Sequence, residues 1–75
     1  MLTWKHYTDY SEGILDGSSI ASVYKAEKYD WYYTVKIMIR GRMIFKDSFT
    51  TKHFDSSKEA MTAAEKFISG VLKNA

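Results

Sequence analysis

Trp31-Tyr32-Tyr33-Thr34-Val35-Lys36-Ile37-Met38-Ile39-Arg40 is the stretch that decides the fold. Trp31, Tyr33, Val35, Ile37 and Ile39 alternate with Tyr32, Thr34, Lys36, Met38 and Arg40. Successive side chains of a strand point to opposite faces, so this period of two, rich in β-branched and aromatic residues, reads as a strand with one buried face. On its C-terminal side, Arg40-Gly41-Arg42 turns the chain and Met43 to Phe49 returns as the next strand. A three-residue loop sets Ile39 opposite Met43, Ile37 opposite Phe45 and Tyr33 opposite Phe49, which keeps the apolar sets together. A two-residue Gly41-Arg42 loop would instead set Lys46 opposite Ile37. The three-residue register is therefore expected, and it leaves Asp47 on the inner face.

On the N-terminal side, Ser19 to Glu27 reads as another strand, with a turn around Lys28 to Asp30. Leu2 to Tyr7 reads as a short edge strand. Tyr10 to Ser19 is the richest segment in turn formers, with Asp16-Gly17 a good turn dipeptide because Gly accepts positive φ, and it reads mostly as loop. Beyond the sheet, Ser56-Ser57-Lys58-Glu59 fits a capping box at the start of a helix. Ala60, Met61, Ala64, Phe67, Ile68, Val71 and Leu72 recur at spacings of three and four, with Lys58, Thr62, Glu65, Lys66, Ser69 and Lys73 on the other side. That is an amphipathic helix, ending with Lys73 at the negative end of its dipole.

The expected architecture is therefore α+β in the order β-β-β-α: an antiparallel sheet of three or four strands with one C-terminal helix across one face. Residues 1–75 form one domain, with an edge strand and loop over 1–19, the sheet over 20–54 and the helix over 56–73. The expected core is Val23, Trp31, Tyr33, Val35, Ile37, Ile39, Phe45, Phe49, Ala60, Ala64, Phe67, Ile68 and Val71.

Composition narrows the function. The chain has 75 residues, of which 45% are hydrophobic, too apolar for disorder, which needs low hydrophobicity and high charge. A domain this small buries roughly 60% of its unfolded surface, leaving little room for a deep cleft. Eleven Lys and Arg against nine Asp and Glu give a net charge of +2, well short of what would by itself indicate a nucleic-acid protein. With no cysteine there are no disulfides, thiol chemistry or Cys-ligated metals, which favours a reducing compartment. No apolar run is long enough for a transmembrane helix, and the first residues lack a signal-peptide layout. A soluble cytoplasmic protein is expected.

Nor do the residues assemble a catalytic set. Nucleophilic catalysis needs a base, normally His, beside a nucleophile, and the two histidines are His6 near the start and His53 before the helix. No strand–turn–helix elbow surrounds a Ser, and no HxH, HxxxH or HExxH spacing supports a metal. Asp9, Glu12 and Asp16 cluster in an early segment that reads as an acidic surface loop rather than a catalytic dyad. Four scattered glycines draw no phosphate-binding loop. The expectation is a non-enzyme without cofactor or metal.

The outer sheet face carries the functional reading. The favoured register places Tyr32, Lys36, Met38, Arg40, Arg42, Ile44 and Lys46 there, with Thr34 and Ser48. Interleaved basic and aromatic residues could hold phosphates while rings stack on bases. Met38 and Ile44 suit a protein contact equally well, and long side chains covering an ordinary solvated face are the plain alternative. The small net charge, and acidic neighbours at Asp30 and Asp47, favour protein, with nucleic acid the alternative partner. A homodimer through an exposed strand edge would be an addition to either.

Phe54-Asp55-Ser56-Ser57-Lys58-Glu59-Ala60 followed by Ala63-Ala64-Glu65-Lys66-Phe67 resembles the "F-(D/T)-S-x-(E/K)-E-A…A-A-E" helix of small, mostly uncharacterised phage-encoded proteins, in which a strand pair precedes it. The strand–strand–strand–helix order is also similar to the double-stranded-RNA-binding domain, but that family's run of lysines at the helix start is missing. The resemblance implies a phage or mobile-element origin and carries no functional residues over. Together with the open sheet face and the lack of a catalytic set, it leads to the expectation of a small binding protein that inhibits or modulates a host protein or nucleoprotein by protein contact, in the host cytoplasm if phage-encoded.

Overall fold

The computed structural model describes residues 2–74. Five strands, β1 (Thr3–His6), β2 (Tyr10–Leu15), β3 (Ser18–Glu27), β4 (Asp30–Ile39) and β5 (Arg42–Asp47), precede one helix, α1 (Ser57–Lys73). The strands pair antiparallel in the sequential order β1-β2-β3-β4-β5, an up-and-down meander with β1 and β5 at its edges. The α+β class, the antiparallel sheet and the C-terminal helix agree with the sequence reading. The short edge strand expected over Leu2 to Tyr7 is β1, but the count of three or four strands falls short of five, because Tyr10–Leu15 is a strand rather than a loop.

The overlooked strand is polar and small for a packing reason. Trp4 of β1 stands opposite Gly13 of β2 and lays its ring over it, so that a Cβ at Gly13 would lie 3.1 Å from the ring carbons. Ser11, the next inward position, is buried and shares a 2.9 Å hydrogen bond with His6 Nδ1. Small residues here make room for an indole from the neighbouring strand, which an apolar-periodicity test does not register. The Trp4 Nε1–H also donates to Glu65 at 3.0 Å, tying the edge strand to the helix. A bulge opposite Gly13 and Ile14 lets consecutive residues Ile20 and Ala21 both enter the core.

Two of the turns are two-residue loops whose central residues all have positive φ: Asp16 (51°) with Gly17 (82°), and Arg40 (51°) with Gly41 (77°). Such mirror-image turns match the twist of the strands they join. The second one corrects the expected register. The loop is Arg40-Gly41, neither of the loops expected, and it pairs Ile39 with Arg42, Met38 with Met43, Ile37 with Ile44, Lys36 with Phe45, Val35 with Lys46 and Thr34 with Asp47. A one-residue slip sends every side chain of β5 to the other face. Asp47 therefore lies outside, where its carboxylate is solvated and accepts the Phe49 N–H at 2.8 Å. Phe45 and Phe49 leave the expected core, at 64% and 50% exposed.

After β5 the chain loops out over Phe49 to His53 and returns at Phe54, which bridges Trp31 through reciprocal backbone bonds of 2.8 and 2.7 Å. Ser48 anchors the loop: its N–H donates to the Tyr33 carbonyl, and its buried Oγ accepts the Tyr33 N–H, both at 2.9 Å. The helix then starts as expected. Ser56 is in extended conformation and its hydroxyl accepts the Glu59 N–H, while Glu59 Oε2 reaches back one residue further, to the Asp55 N–H.

The helix crosses β4 and β3. Ala60, Ala64 and Ile68, its fully buried stripe, press on Val23, Tyr33, Val35 and Ile37, with Trp31, Ile39 and Phe67 half-buried around them. Each fully buried Val or Ile contributes about 1.5–3 kcal/mol, which is where the sheet and helix gain their mutual stability. The small residues Ala60 and Ala64 let the helix approach the aromatic-rich β4 closely.

Candidate functional site

The helix covers one side of the sheet and leaves the other open. On the open face three features follow from the register.

The first is a row of rings running across the strands. Tyr7 stacks on Tyr10 at 4.6 Å, Tyr10 on Tyr24 at 6.0 Å and Tyr24 on Tyr32 at 5.4 Å between centroids. Phe49 meets Tyr32 edge-on at 4.9 Å, and His53 lies 5.9 Å from Tyr32 and 5.1 Å from Phe49. Tyr10, Tyr24 and Tyr32 align because their backbones are cross-strand partners. The rings stand on edge against one another: Tyr32 has Tyr24 on one side and Phe49 with His53 on the other. Tyr10, Tyr24 and Tyr32 each have a ring neighbour on both sides, while Tyr7 and Phe49 end the row 45% and 50% exposed.

The second is an apolar patch at the opposite end of the same face. Met38 is 58% exposed and Met43, its cross-strand partner, 49%. Phe45 is opposite Lys36 and is the most exposed of the three. Between the ring row and this patch lie Glu12, Ser22, Thr34 and Asp47.

The third is charge. The lysines on this face, Lys5 and Lys36, are matched by Glu12, which stands opposite Lys5, and by Asp47. The face is mixed in sign.

The expected site residues divide. Tyr32, Lys36 and Met38 share the open face, but Tyr32 belongs to the ring row rather than offering a free surface. Arg40 is in the turn. Arg42, Ile44 and Lys46 are on the helix side, opposite Ile39, Ile37 and Val35. Met43 and Phe45 take their places on the open face. The signal for this was the Arg40-Gly41 dipeptide, since Gly at the second position of a two-residue loop suits a mirror-image turn.

Beside the row, His53 Nδ1 pairs with the Asp30 carboxylate and Nε2 lies 2.6 Å from the Phe49 carbonyl. Both ring nitrogens face acceptors, so the doubly protonated imidazolium is favoured. The Asp30 hydrogen bond, then the Phe49 carbonyl, raise the His53 pKa above its usual 6.5. Burial raises the Tyr33 hydroxyl above its usual 10. His6 instead bonds Ser11 on the other side of the sheet.

Among the described residues no group of three or more His, Asp or Glu side chains is placed to hold a metal ion, and no helix is long and apolar enough to cross a membrane. No protein family, curated protein or solved structure matches this chain.

Proposed function

We propose that the protein acts without chemistry of its own, by contact with a partner protein through the open sheet face. Met38, Met43 and Phe45 are the anchors, and Lys36 and Asp47 the polar rim. In keeping with the phage-protein resemblance, the partner is a host protein or nucleoprotein whose action is modulated by being covered. The observation that carries this reading is the contiguous exposure of those three large apolar side chains on a face with no helix over it. Exposed apolar groups gathered in one patch mark interaction surfaces, and buried aromatic and Met side chains supply most of the energy at such interfaces.

Two observations favour protein over nucleic acid. Base stacking needs a free ring face, and Tyr32, Tyr24 and Tyr10 have theirs occupied. Phosphate binding needs a basic surface, and the register moves Arg42 and Lys46 off this face while adding Asp47 to it.

Capture from host lysate, run with and without nuclease and using the protein beside its Met38→Asp and Phe45→Asp variants, tests this. The expected result is a protein retained by the parent chain and lost from both variants, with little change in stability because both positions are exposed. Capture unaffected by either change overturns it. Retention of nucleic acid alone, with affinity falling about 0.7 logarithmic units per tenfold rise in salt for each single-strand phosphate contacted, makes the alternative the answer.

A further inference from the structure

The edge strand β5 has two properties that the open face does not explain. In the ladder with β4, the backbone groups of Ile44 and Lys46 turn inward, in phase with the Ser48–Tyr33 bond. Those of Met43 and Phe45 turn to the free edge, because hydrogen-bonded and non-bonded pairs alternate along antiparallel strands. Nothing in the sheet pairs with them, since β5 ends the strand order. β5 is also straight in register, without proline or bulge.

Beside this edge, on the helix side, runs a cleft. The helix lies over β4 and β3 and stops short of β5, leaving an opening of about 500 Å³ floored by Ile39, Ile44, Phe67 and Val71. It continues toward the β4–β5 turn past Arg40 and Arg42. Lys66 stands on its helical wall, and among the described residues no carboxylate lines either part.

We infer that β5 and this cleft together receive an extended, acidic and apolar segment of a partner protein, added as a sixth strand. Strand addition takes its affinity from main-chain hydrogen bonds and its selectivity from pockets for alternate side chains. A strand laid against Met43 and Phe45 would direct every second side chain into the cleft beside Ile44. The others would lie on the open face next to Phe45. The cationic rim of Arg40, Arg42 and Lys66 selects acidic side chains on the cleft side. A second copy of this chain fits less well. Paired about Ile44, it would set Arg42 against the other copy's Lys46 at both ends; paired about Phe45, it would set each Lys46 over an Ile44, and neither register supplies a counter-charge.

This inference rests on the reading that the protein works by protein contact, but it concerns the edge and the helix side rather than the open face. The probe is a synthetic heptapeptide alternating valine with glutamate. Its controls are the lysine-for-glutamate peptide and a glutamate peptide N-methylated at alternate residues, which keeps the side chains and removes the donors. Titration to millimolar peptide is followed by amide shifts of the isotope-labelled protein. Shifts of Met43 and Phe45 amides and of the Ile39, Ile44 and Val71 methyls are expected with the glutamate peptide alone. Arg42→Glu should weaken it by about tenfold and restore binding of the lysine peptide. Phe45→Pro removes an edge-facing N–H at a position that tolerates proline and should abolish the Met43 amide and the methyl shifts, a larger loss than that of Phe45→Ala, which keeps the N–H. Binding blind to N-methylation, shifts confined to the open face, or no shift at all would overturn the inference. So would shifts of the same amides that grow with protein concentration in the absence of peptide, which would make the occupant a second copy. Each of these leaves the open-face reading to its own aspartate variants.

Discussion

Ile37 and Ile44 face each other across β4 and β5 on the helix side of the sheet. Their pairing places Met38 opposite Met43 and Lys36 opposite Phe45 on the solvent side, so one contact determines which apolar groups the open face exposes.

The turn that enforces this pairing should respond to substitution in opposite directions. Gly41 has φ 77° with open space around its missing Cβ, and Arg40 has φ 51°. Gly41→Ala should destabilise the protein by about 1–2 kcal/mol through backbone strain alone. Arg40→Asn, which tolerates the left-handed region and restores the preferred Asn-Gly turn, should raise the thermal midpoint. Calorimetry on the two variants checks this, and a lower midpoint for Arg40→Asn would contradict the two-residue loop.

Core and face positions on adjacent elements should separate by stability. Ile68 is fully buried beneath the sheet, and Ile68→Ala should cost about 2–5 kcal/mol. Phe45→Ala, at an exposed position, should stay within about 0.5 kcal/mol. Urea titration distinguishes them, and a large loss at Phe45 would restore it to the core.

Gly13 is required by the indole above it. A Cβ there would lie 3.0 Å from Leu2 Cδ1 as well as against Trp4. Gly13→Val should therefore cost about 1–3 kcal/mol through overpacking and shift Trp4 fluorescence to longer wavelength as the ring is displaced. Unchanged emission and stability would place Trp4 elsewhere.

His53 should make stability depend on pH in one direction. Its folded pKa is raised above 6.5, chiefly by the Asp30 hydrogen bond and then by the Phe49 carbonyl. The stabilisation is fully present below about pH 6.5 and is lost as the pH rises through the higher folded value. The midpoint of the parent protein should fall over that window relative to His53→Gln. A parallel profile for both proteins would show that the Asp30 contact contributes nothing.

Much of this fold is legible in the chain itself. The Trp31–Ile39 alternation, the Asp16-Gly17 turn and the Ser56 cap are local codes: side-chain periodicity, positive-φ tolerance and hydrogen bonding within four residues each act over a few positions. The antiparallel sheet and its helix follow from them. What only the tertiary structure decided is non-local. Ser11 and Gly13 look like loop residues until Trp4 is laid across Gly13. The ring row exists only because the meander aligns Tyr10, Tyr24 and Tyr32. The faces of β5 depend on whether Arg40 enters the left-handed region, a choice of one residue's backbone that apolar content scores the wrong way, because it would bury Phe45 and Phe49. The structure exposes both and buries Ile44 in part, since a mirror-image turn matches the twist of the paired strands and a shift of one residue exchanges their two sides.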